Sequence, residues 1–590
     1  MKKYITIIYI IFSISILALS TGLVQPLGGA ISADRVVATG LSEIKDAVNA
    51  NATDSEGSFA AIENKLPRIV SVKNYGAIGD GVTDDYLAVQ AALDIGGTVF
   101  FPSGIYLLET QLRIKSNTTL DLRSGATIKR GFNTSVLGRG LSAIAAGSTN
   151  ITILGGTFDA NGTIFGAESC NIITALSVSN VVIDGTTFLD CVDYHAIDFG
   201  DATNILIENC KFYGQIQTGG FADKEAIQLD PGYSLAAGYG HTENFVVKRC
   251  VFDGNSDTGT PAYQCAVGNH SANVDGVRAI SITVSECVMN NCSYAGVHVY
   301  AWEDATISDN TFNGCAIDVY VWRGSGTNPV GIDGLYILNN YFNGTTSTNS
   351  IYFFNNVVSV ATMKNILIEG NIFKTAATCI RALEVYDMNI SNNIARGCVA
   401  LTNLRDVADI NITGNNVKDV SGNVIYLSEK AKRISITNNI FQDLDARAVH
   451  VTGKGGDNRS DITINNNRIS DCAGVAFITF DSGASKNISI CNNHLTVGEL
   501  SKIPSGASYI TVSTTGGSVN IIDNVVDDAI LTAPKYIYNP NGVTKAITSS
   551  SPNAVVTAGV GSTITSLAGG AEATLYVKET GTGSTGWVAK

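Results

Sequence analysis

Acidic and histidine side chains gather in one stretch of this sequence, and their chemistry suggests acid–base catalysis. Four of the six His lie between residues 195 and 298, and carboxylates recur within the same interval. A carboxylic acid paired with a carboxylate is the usual machinery for hydrolysing a glycosidic bond. We predict Asp198 and Asp230 as the catalytic pair, without assigning acid and base. Glu225 is the substitute candidate, and His298 would orient substrate or tune a carboxylate.

Strand alternation provides the phase of these residues, because successive side chains of a β-strand point to opposite faces. Ile197 and Phe199 are the inward residues of one strand, so Asp198 between them points outward. By contrast, Glu225 has the phase of an inward or corner residue. The substrate-binding candidates from this reading are His195, Gln228, His270, Tyr300, Trp302, Asp318, Tyr320, Trp322, Tyr352 and Glu384.

Outward aromatic residues mixed with carboxylates and His are poor choices for a sheet that faces water. Exposed patches of this kind usually mark a binding site. Flat rings suit the faces of sugars, and polar neighbours suit sugar hydroxyls. Two other uses stay open: burial against another subunit, and a stacked ladder that only stabilises the fold.

A repeat supplies the elements that must position these residues. A polar residue, alternating β-branched residues, an Asn-rich turn and a large apolar residue eight positions on recur from Asn150 to Val526. The copies follow one another at a mean interval of about 28 residues, a period typical of solenoids. Short strands without intervening helices predict a parallel β-solenoid. A propeller is the less favoured alternative, because its blades need about 40 residues or more.

Composition agrees with this architecture. Only 15% of the residues are charged, Gly accounts for 60 of 590, and the net charge is −14. The acidic balance argues against a nucleic-acid partner, which would favour a basic surface. The 12 Cys recur at fixed positions of the repeat, as in Cys210-Lys211-Phe212 and Cys250-Val251-Phe252. We therefore expect buried, stacked thiols, with one or two disulfides possible and no CxxC zinc site.

The opening of the repeat region carries a resemblance to a known family. Asn74–Asp85, Ala88–Leu93 and Gly97–Tyr106 resemble the start of the pectate-lyase-like superfamily. The resemblance implies an all-β, right-handed parallel β-helix whose N-terminal end is covered by a short helix near Asp84–Leu93. Thr83 or Asp84 could cap that helix. Members of the superfamily are mostly polysaccharide hydrolases, lyases or epimerases, and they include phage tailspike depolymerases.

Several motifs of individual families are missing. The polygalacturonase-like Asn-Thr-Asp, Asp-Asp, Gly-His-Gly and Arg-Ile-Lys motifs do not occur in the equivalent coils, and neither does the Asp-Pro-His-Glu motif of alginate epimerases. The particular reaction is therefore open. Hydrolysis needs no cofactor, whereas a lyase would need a neutraliser such as Ca²⁺ and a Lys or Arg base.

The N-terminus of the chain suggests export. Met1-Lys2-Lys3 and the apolar run that follows predict a signal peptide over 1–30, or a membrane anchor if it is uncleaved. Residues 31–67 are expected to form a helical stalk or linker, 68–535 the β-helix, and 536–590 a small β appendage. The last residues are similar to terminal segments of phage tail proteins.

These observations predict an extracellular polysaccharide depolymerase, with a hydrolase favoured over a lyase. A non-catalytic glycan-binding tailspike or adhesin and a purely structural solenoid are the alternatives. The expected partner is a polysaccharide, with no nucleic acid and with a membrane only through an uncleaved N-terminus. A tailspike-like protein would be a homotrimer, and it would lie on a virion surface, whereas the signal-like segment indicates bacterial secretion.

Overall fold

The computed structural model describes residues 69–590 except 134–139, 219–223, 232–239, 270–276, 323–330, 355–361, 375–376, 454–458, 474–475, 484, 497–507, 515–518, 528–535, 540–542, 549–555, 559, 567–574 and 582–583. The chain divides into two units after residue 71. Of the first unit, the structure describes the strand Ile69–Ser71. The predicted signal or anchor and the stalk lie outside the described residues. No helix within the described ranges is long and apolar enough to cross a membrane.

The second unit is a right-handed parallel β-helix, as the repeat predicts. Each coil contributes one strand to each of three sheets, and every strand pairs in parallel with its counterpart one coil earlier and one coil later. The strands of sheet A are Leu112–Ile114, Gly140–Ile144, Asn171–Leu176, Ile197–Gly200, Glu225–Asp230, Cys265–Gly268, Ala295–Tyr300, Ile317–Trp322, Asn349–Phe354, Thr378–Leu383, Val449–Val451, Ile478–Gly483, Ser508–Thr514, Tyr536–Asn539 and Val556–Ala558.

Sheets B and C complete each coil. Sheet B consists of Gly97–Phe100, Thr118–Asp121, Thr149–Leu154, Ser179–Asp184, Thr203–Glu208, Thr242–Lys248, Ala279–Ser285, Trp302–Ser308, Ile332–Leu338, Met363–Glu369, Tyr386–Ser391, Arg459–Asn465, Ser485–Cys491, Val543–Thr548 and Thr563–Ser566. Sheet C consists of Asp80–Asp84, Gly104–Leu108, Ala126–Arg130, Thr157–Asp159, Thr187–Val192, Lys211–Ile216, Val251–Asp253, Val288–Asn290, Thr311–Asn313, Tyr341–Asn343, Ile372–Lys374, Ile394–Arg396, Asn416–Val420, Ile440–Leu444, Arg468–Cys472 and His494–Thr496. Ala400–Thr413 and Ile425–Thr437 run from sheet A into sheet B, and Val519–Asp527 runs from sheet B into sheet C.

The turn between sheets B and C carries a ladder of buried amides. Asn415 donates its Nδ2 to the Asn439 Oδ1 at 2.9 Å and to the Ile390 carbonyl oxygen at 2.9 Å. Its own Oδ1 accepts from the backbone N–H and Nδ2 of Asn393, both at 3.0 Å. Buried amides are stable only when their donors and acceptors are satisfied, and the ladder meets this need coil by coil. The stacked Asn residues are Asn310, Asn340, Asn371, Asn393, Asn415, Asn439, Asn467, Asn493 and Asn524.

Cysteine occupies the same ladder position in earlier coils. The backbone N–H of Cys250 donates to Cys287 Sγ at 3.4 Å, and the N–H of Cys287 donates to the Asn310 Oδ1 at 2.9 Å. All 12 thiols are free, and 11 of them are buried. Burial raises the pKa of the Cys250 thiol. The prediction of packed rather than disulfide-bonded cysteines is therefore confirmed.

A short helix begins the β-helix. Helix α1, Tyr86–Ile95, buries Val89, Ala92 and Leu93. Gln90 exchanges two hydrogen bonds with the backbone of Arg113, so the helix is bound to the first strand of sheet A. The N-cap residue is Asp85, which makes no side-chain cap hydrogen bond, so the predicted cap by Thr83 or Asp84 is wrong. Asp84, one residue earlier, accepts the N–H of Tyr86 at 3.0 Å. The other helical elements among the described residues are the 3₁₀ turn Val72–Tyr75 and helix α2, Gly162–Phe165.

The C-terminal boundary differs from the expectation of an appendage that begins at 536. Strands Tyr536–Asn539 and Thr563–Ser566 still pair in parallel with the preceding coils. The antiparallel pairing starts only at Leu575–Lys578, which is followed by Trp587–Ala589. The sequence repeat is recognisable only up to Val526, so it did not predict that the parallel coils continue to Thr563–Ser566.

The Asn ladder yields a stability prediction. Replacing Asn415 by Ala removes the acceptor of the Asn393 backbone N–H, one of the two acceptors of the Asn393 Nδ2, and the side-chain donor to the Ile390 carbonyl. Each buried polar group left unsatisfied costs about 1–3 kcal/mol. We expect the free energy of unfolding to fall by about 3 kcal/mol in urea titrations. Asn389→Ala, a half-buried outward position on sheet B, serves as the control and should change it by less than about 1 kcal/mol. Equal losses in the two variants would contradict the ladder's role.

Candidate functional site

Two columns of outward side chains run along sheet A. Strand register pairs Asp198 with Gln228, and Gly268 with His298. The first column consists of Asp198, Gln228, Gly268, His298, Tyr320, Tyr352 and Arg381. The second column, two residues further along each strand, includes Gly200, Asp230, Tyr300, Trp322 and Phe354.

The two carboxylates predicted as a catalytic pair lie on neighbouring strands in different columns. Asp198 is opposite Gln228, whereas Asp230 is opposite Gly200. One strand spacing and two residue rises place their Cα atoms about 8 Å apart. Inverting glycosidases hold their two carboxyl groups about 6.5–9.5 Å apart, to leave room for a water molecule. The arrangement is therefore compatible with that chemistry.

Neighbouring amides hold both carboxylates. Asn171 Nδ2 donates to Asp198 Oδ2 at 2.7 Å, and Gln228 Nε2 donates to Asp230 Oδ2 at 2.6 Å. Asp198 is half-buried and Asp230 is 9% exposed. Asn171 also accepts the backbone N–H of His195 at 2.9 Å. The contact between Asn171 and Asp198 is not predicted from the sequence, because Asn171 belongs to the preceding coil, 27 residues before Asp198.

Glu225 is on the outward side of sheet A, which corrects the inward or corner phase that alternation predicts. Its Oε1 lies 3.6 Å from His298 Nδ1 and its Oε2 lies 3.6 Å from His195 Nδ1. His195 Nδ1 donates to the Glu225 backbone carbonyl oxygen at 2.8 Å. Alternation fails here because Glu225 is the first residue of its strand, and the next two residues, Ala226 and Ile227, are both fully buried.

The first column is a stack of rings. His298 lies parallel to Tyr320 at 5.3 Å between centroids, and Tyr320 is stacked on Tyr352 at 5.6 Å. The guanidinium of Arg381 lies 5.1 Å from the centre of the Tyr352 ring, a cation–π distance. Burial raises the pKa of Tyr320 to about 12, so its hydroxyl stays protonated and can donate. Tyr294 contacts both His298 and Tyr320 edge to face.

The outward columns of sheet A are less exposed to solvent than the aromatic patch that the sequence predicts. His298 is fully buried and Tyr300 is 1% exposed, whereas Trp322 and Tyr352 are half-buried. The Tyr300 ring meets Trp322 edge to face at 5.4 Å. The accessible part of the columns is therefore the stretch from Trp322 and Tyr352 onward, together with Asp198 at the opposite end.

Trp302 does not belong to the outward columns. Ala301 has a left-handed φ of 57° and turns the chain, so that Trp302 begins the next strand on sheet B. The Trp302 ring is fully buried, and its Nε1 donates to Asn269 Oδ1 at 2.7 Å. The alternation from His298 through Tyr300 cannot be continued to this residue because the strand has ended.

Asp318 points into the solenoid rather than outward. It is fully buried, aligned with Gly296 and Ser350 of the neighbouring strands, and it accepts a hydrogen bond from the Thr345 hydroxyl. Burial raises its pKa from 3.8 to about 7, against the lowering effect of hydrogen bonds from Thr345 and Ser350. A role in substrate binding is excluded by this position.

Glu384 is also displaced from the outward columns. Glu384 lies in the bend after the strand Thr378–Leu383, with a left-handed φ of 54°. The outward residue of that coil is Arg381, three positions earlier. His270 lies outside the described residues.

The described part of the chain shows no group of three carboxylates close enough to share one ion. Calcium binds an oxygen cage built from several such groups. The Ca²⁺ expected for a lyase therefore stays a prediction.

The comparisons with known proteins agree with this architecture. The family model described as rhamnogalacturonase A/epimerase, pectate lyase-like matches residues 69–320. The match includes the opening motif and confirms its resemblance to the pectate-lyase-like superfamily over these residues. The coil geometry confirms the parallel β-helix fold.

Individual proteins match this chain at low identity or over only part of its length. The plasmin and fibronectin-binding protein A of Streptococcus pneumoniae is 26% identical over 438 residues, 64% of this chain and 58% of that protein. The pre-neck appendage protein of Bacillus phage phi29 is 34% identical over 195 residues, 27% of this chain and 22% of that protein. The chain thus spans less than two thirds of either relative. The crystal structure of PfbA, a surface adhesin of Streptococcus pneumoniae, has 21% identity and a TM-score of 0.43, over 76% of this chain and 92% of that one.

The interior carboxyl of Asp318 predicts a pH-dependent stability. Because its pKa is raised in the folded state, it stabilises that state fully below about pH 4, and this contribution is lost as the pH rises to about 7. Asp318→Asn should therefore gain stability over the wild type between about pH 4 and 7, by up to about 4 kcal/mol.

Urea unfolding at several pH values measures this difference. Asp409→Asn is the control, since Arg433 holds the pKa of this exposed carboxyl below its ordinary value and the sign should reverse. A pH-independent difference between Asp318→Asn and the wild type would contradict the assignment.

Proposed function

We propose that this chain is an extracellular polysaccharide depolymerase that hydrolyses glycosidic bonds on the outer face of sheet A. The observation that carries the proposal is the diagonal placement of Asp198 and Asp230, about 8 Å apart at the Cα atoms, at one end of a stacked aromatic column. The pectate-lyase-like match over residues 69–320 spans this part of the column, up to Tyr320.

Each part of the face has a role in this proposal. Asp198 and Asp230 act as acid and base across the bond that is cleaved. Their amide neighbours, Asn171 and Gln228, hold the carboxylates in place. Trp322 and Tyr352 offer half-buried rings to the sugar faces, and Arg381 beside Tyr352 suits an acidic sugar or a hydroxyl pair.

A non-catalytic adhesin is the second candidate function. It is favoured by the pneumococcal plasmin and fibronectin-binding protein, which matches over 64% of this chain. Burial of His298 and Glu225 also removes two acid–base groups from direct substrate contact. A binding-only protein would use the same aromatic column without turnover. Secretion or surface display, and a homotrimer, belong to either proposal.

Amide substitution of the two carboxylates tests the enzyme. Removing one general acid or base typically costs about 10²–10⁴-fold in rate. We therefore expect Asp198→Asn and Asp230→Asn each to lower reducing-end release by at least about 100-fold, while glycan binding in affinity electrophoresis changes less than about threefold. The substrates are neutral, uronate-containing and amino-sugar polysaccharides.

Asp419→Asn is the matched control, because Asp419 is an exposed carboxylate of sheet C and Asn tolerates its left-handed φ of 58°. It should keep full activity. Wild-type protein that binds a glycan but releases no reducing ends would overturn hydrolysis in favour of the adhesin. Products that absorb as unsaturated sugars would instead identify a lyase.

Tyr352 is the residue of the aromatic column that we expect to bind the glycan. Tyr352→Ala removes a half-buried ring that is stacked on Tyr320 and covered by Arg381, so we expect glycan affinity to fall about 10-fold. Tyr336→Ala, an exposed ring on sheet B of the same coil, should leave affinity unchanged. If the two variants weaken binding equally, the glycan does not lie on sheet A.

A further inference from the structure

A compact set of ligating side chains lies on the outward side of sheet A and includes His298 of the first column. One carboxylate oxygen of Glu225, the Sγ of Cys265 and a ring nitrogen of His298 all lie within 4.8 Å of one another. The three side chains come from three consecutive strands of sheet A and are fully buried. We propose that they bind one divalent transition-metal ion, and that the ion is Zn²⁺.

His298 is the strongest reason for this proposal. Neither of its ring nitrogens has a hydrogen-bond partner among the described residues, although the side chain is fully buried. A buried polar group without a partner costs about 1–3 kcal/mol. The ring cannot turn away to find one, because Tyr320 is stacked on its face and Tyr294 lies against it edge to face. A metal ion bound at Nδ1, the nitrogen that faces Glu225, would give this ring nitrogen a partner without moving the ring.

The distance between Glu225 and His298 fits two ligands of one metal ion better than a hydrogen bond between the two side chains. Glu225 Oε1 and His298 Nδ1 are 3.6 Å apart, which exceeds the usual hydrogen-bond distance of about 2.7–3.2 Å. Two ligands on a tetrahedral zinc, each about 2.1 Å from the metal, lie about 3.4 Å from one another. The Sγ of Cys265 lies within 4.8 Å of the other two ligand atoms.

The donor set selects the type of ion. A thiolate, an imidazole and a carboxylate suit zinc, whereas Ca²⁺ and Mg²⁺ prefer oxygen donors. The charges also balance, because Cys265 as thiolate and Glu225 as carboxylate neutralise a divalent ion in a buried place. His195 lies 3.6 Å from the second carboxylate oxygen of Glu225 and positions that side chain from the far side.

Metal binding to the full chain tests the site directly. Protein stripped with a chelator is titrated with Zn²⁺ against a chromophoric competitor, and bound zinc is counted by elemental analysis. We expect one ion per chain, a dissociation constant of about 1 µM or below, and a rise in the melting temperature with added Zn²⁺. Co²⁺ in the same site should give a thiolate-to-cobalt charge-transfer band.

Substitutions locate the ion. Cys265→Ser and His298→Ala should weaken zinc binding by at least about 100-fold, and Cys265→Ser should remove the charge-transfer band. Cys292→Ser, a buried thiol elsewhere, and His450→Ala, an imidazole beside Asp481 on the same sheet, should retain both. Glu225→Gln, which keeps the side-chain shape, should bind more weakly than the wild type.

Two outcomes would overturn the proposal. One is wild-type protein that binds less than a stoichiometric amount of zinc, which does not depend on the folding of any variant. The other is unchanged binding in both Cys265→Ser and His298→Ala. Asp198→Asn should leave zinc binding intact, so loss of glycan hydrolysis and loss of the metal site are separate results.

Discussion

In-register hydrogen bonding between the backbones of successive coils is the constraint on which the rest of this structure depends. Val319 pairs with Val297 on one side and with Ile351 on the other, and the same alignment continues along sheet A. Each side chain therefore lies about 4.8 Å above its counterpart. Interior columns can be filled only by side chains that tolerate a like neighbour at this spacing. Stacked rings, amides that bond in series and small thiols all meet that requirement.

The constraint acts on strands and leaves the connections free. The ladder residues Asn371 and Asn393 are 22 positions apart, whereas Asn204 and Asn244, which also bond to each other, are 40 positions apart. Insertions thus enter the loops without changing the register of the sheets. The outer columns of sheet A are held to the same spacing as the core, although nothing in their own packing demands aromatic residues. This is why functional side chains can be placed accurately on a chain of variable coil length.

The sequence predicts the phase of a residue well inside a strand and badly at its ends. The positions of Asp198, Gln228, Asp230, Tyr320 and Tyr352 follow directly from alternation between buried neighbours. Trp302 and Glu384 break the rule because left-handed residues, Ala301 and Glu384 itself, end their strands. Glu225 and Asp318 lie in the first two residues of theirs, where the chain turns a corner of the coil. The contacts of Asn171 and Cys265 also escaped prediction, because they depend on which coils become neighbours across loops of unequal length.

The candidate site has an accessible part and a buried part, and the backbone connects them. Asn171 holds Asp198 with its amide nitrogen and the backbone of His195 with its amide oxygen. His195 in turn donates to the carbonyl of Glu225, whose side chain approaches His298 under the stacked tyrosines. A shift in the position of Glu225 can thus be passed to Asp198 through His195 and Asn171. Burying a carboxyl group costs free energy unless it is paired or hydrogen-bonded, because the group gives up its hydration. The buried Glu225 and His298 would offset this cost by holding the accessible Asp198 in position. Sheet A would then present a rigid surface to its ligand.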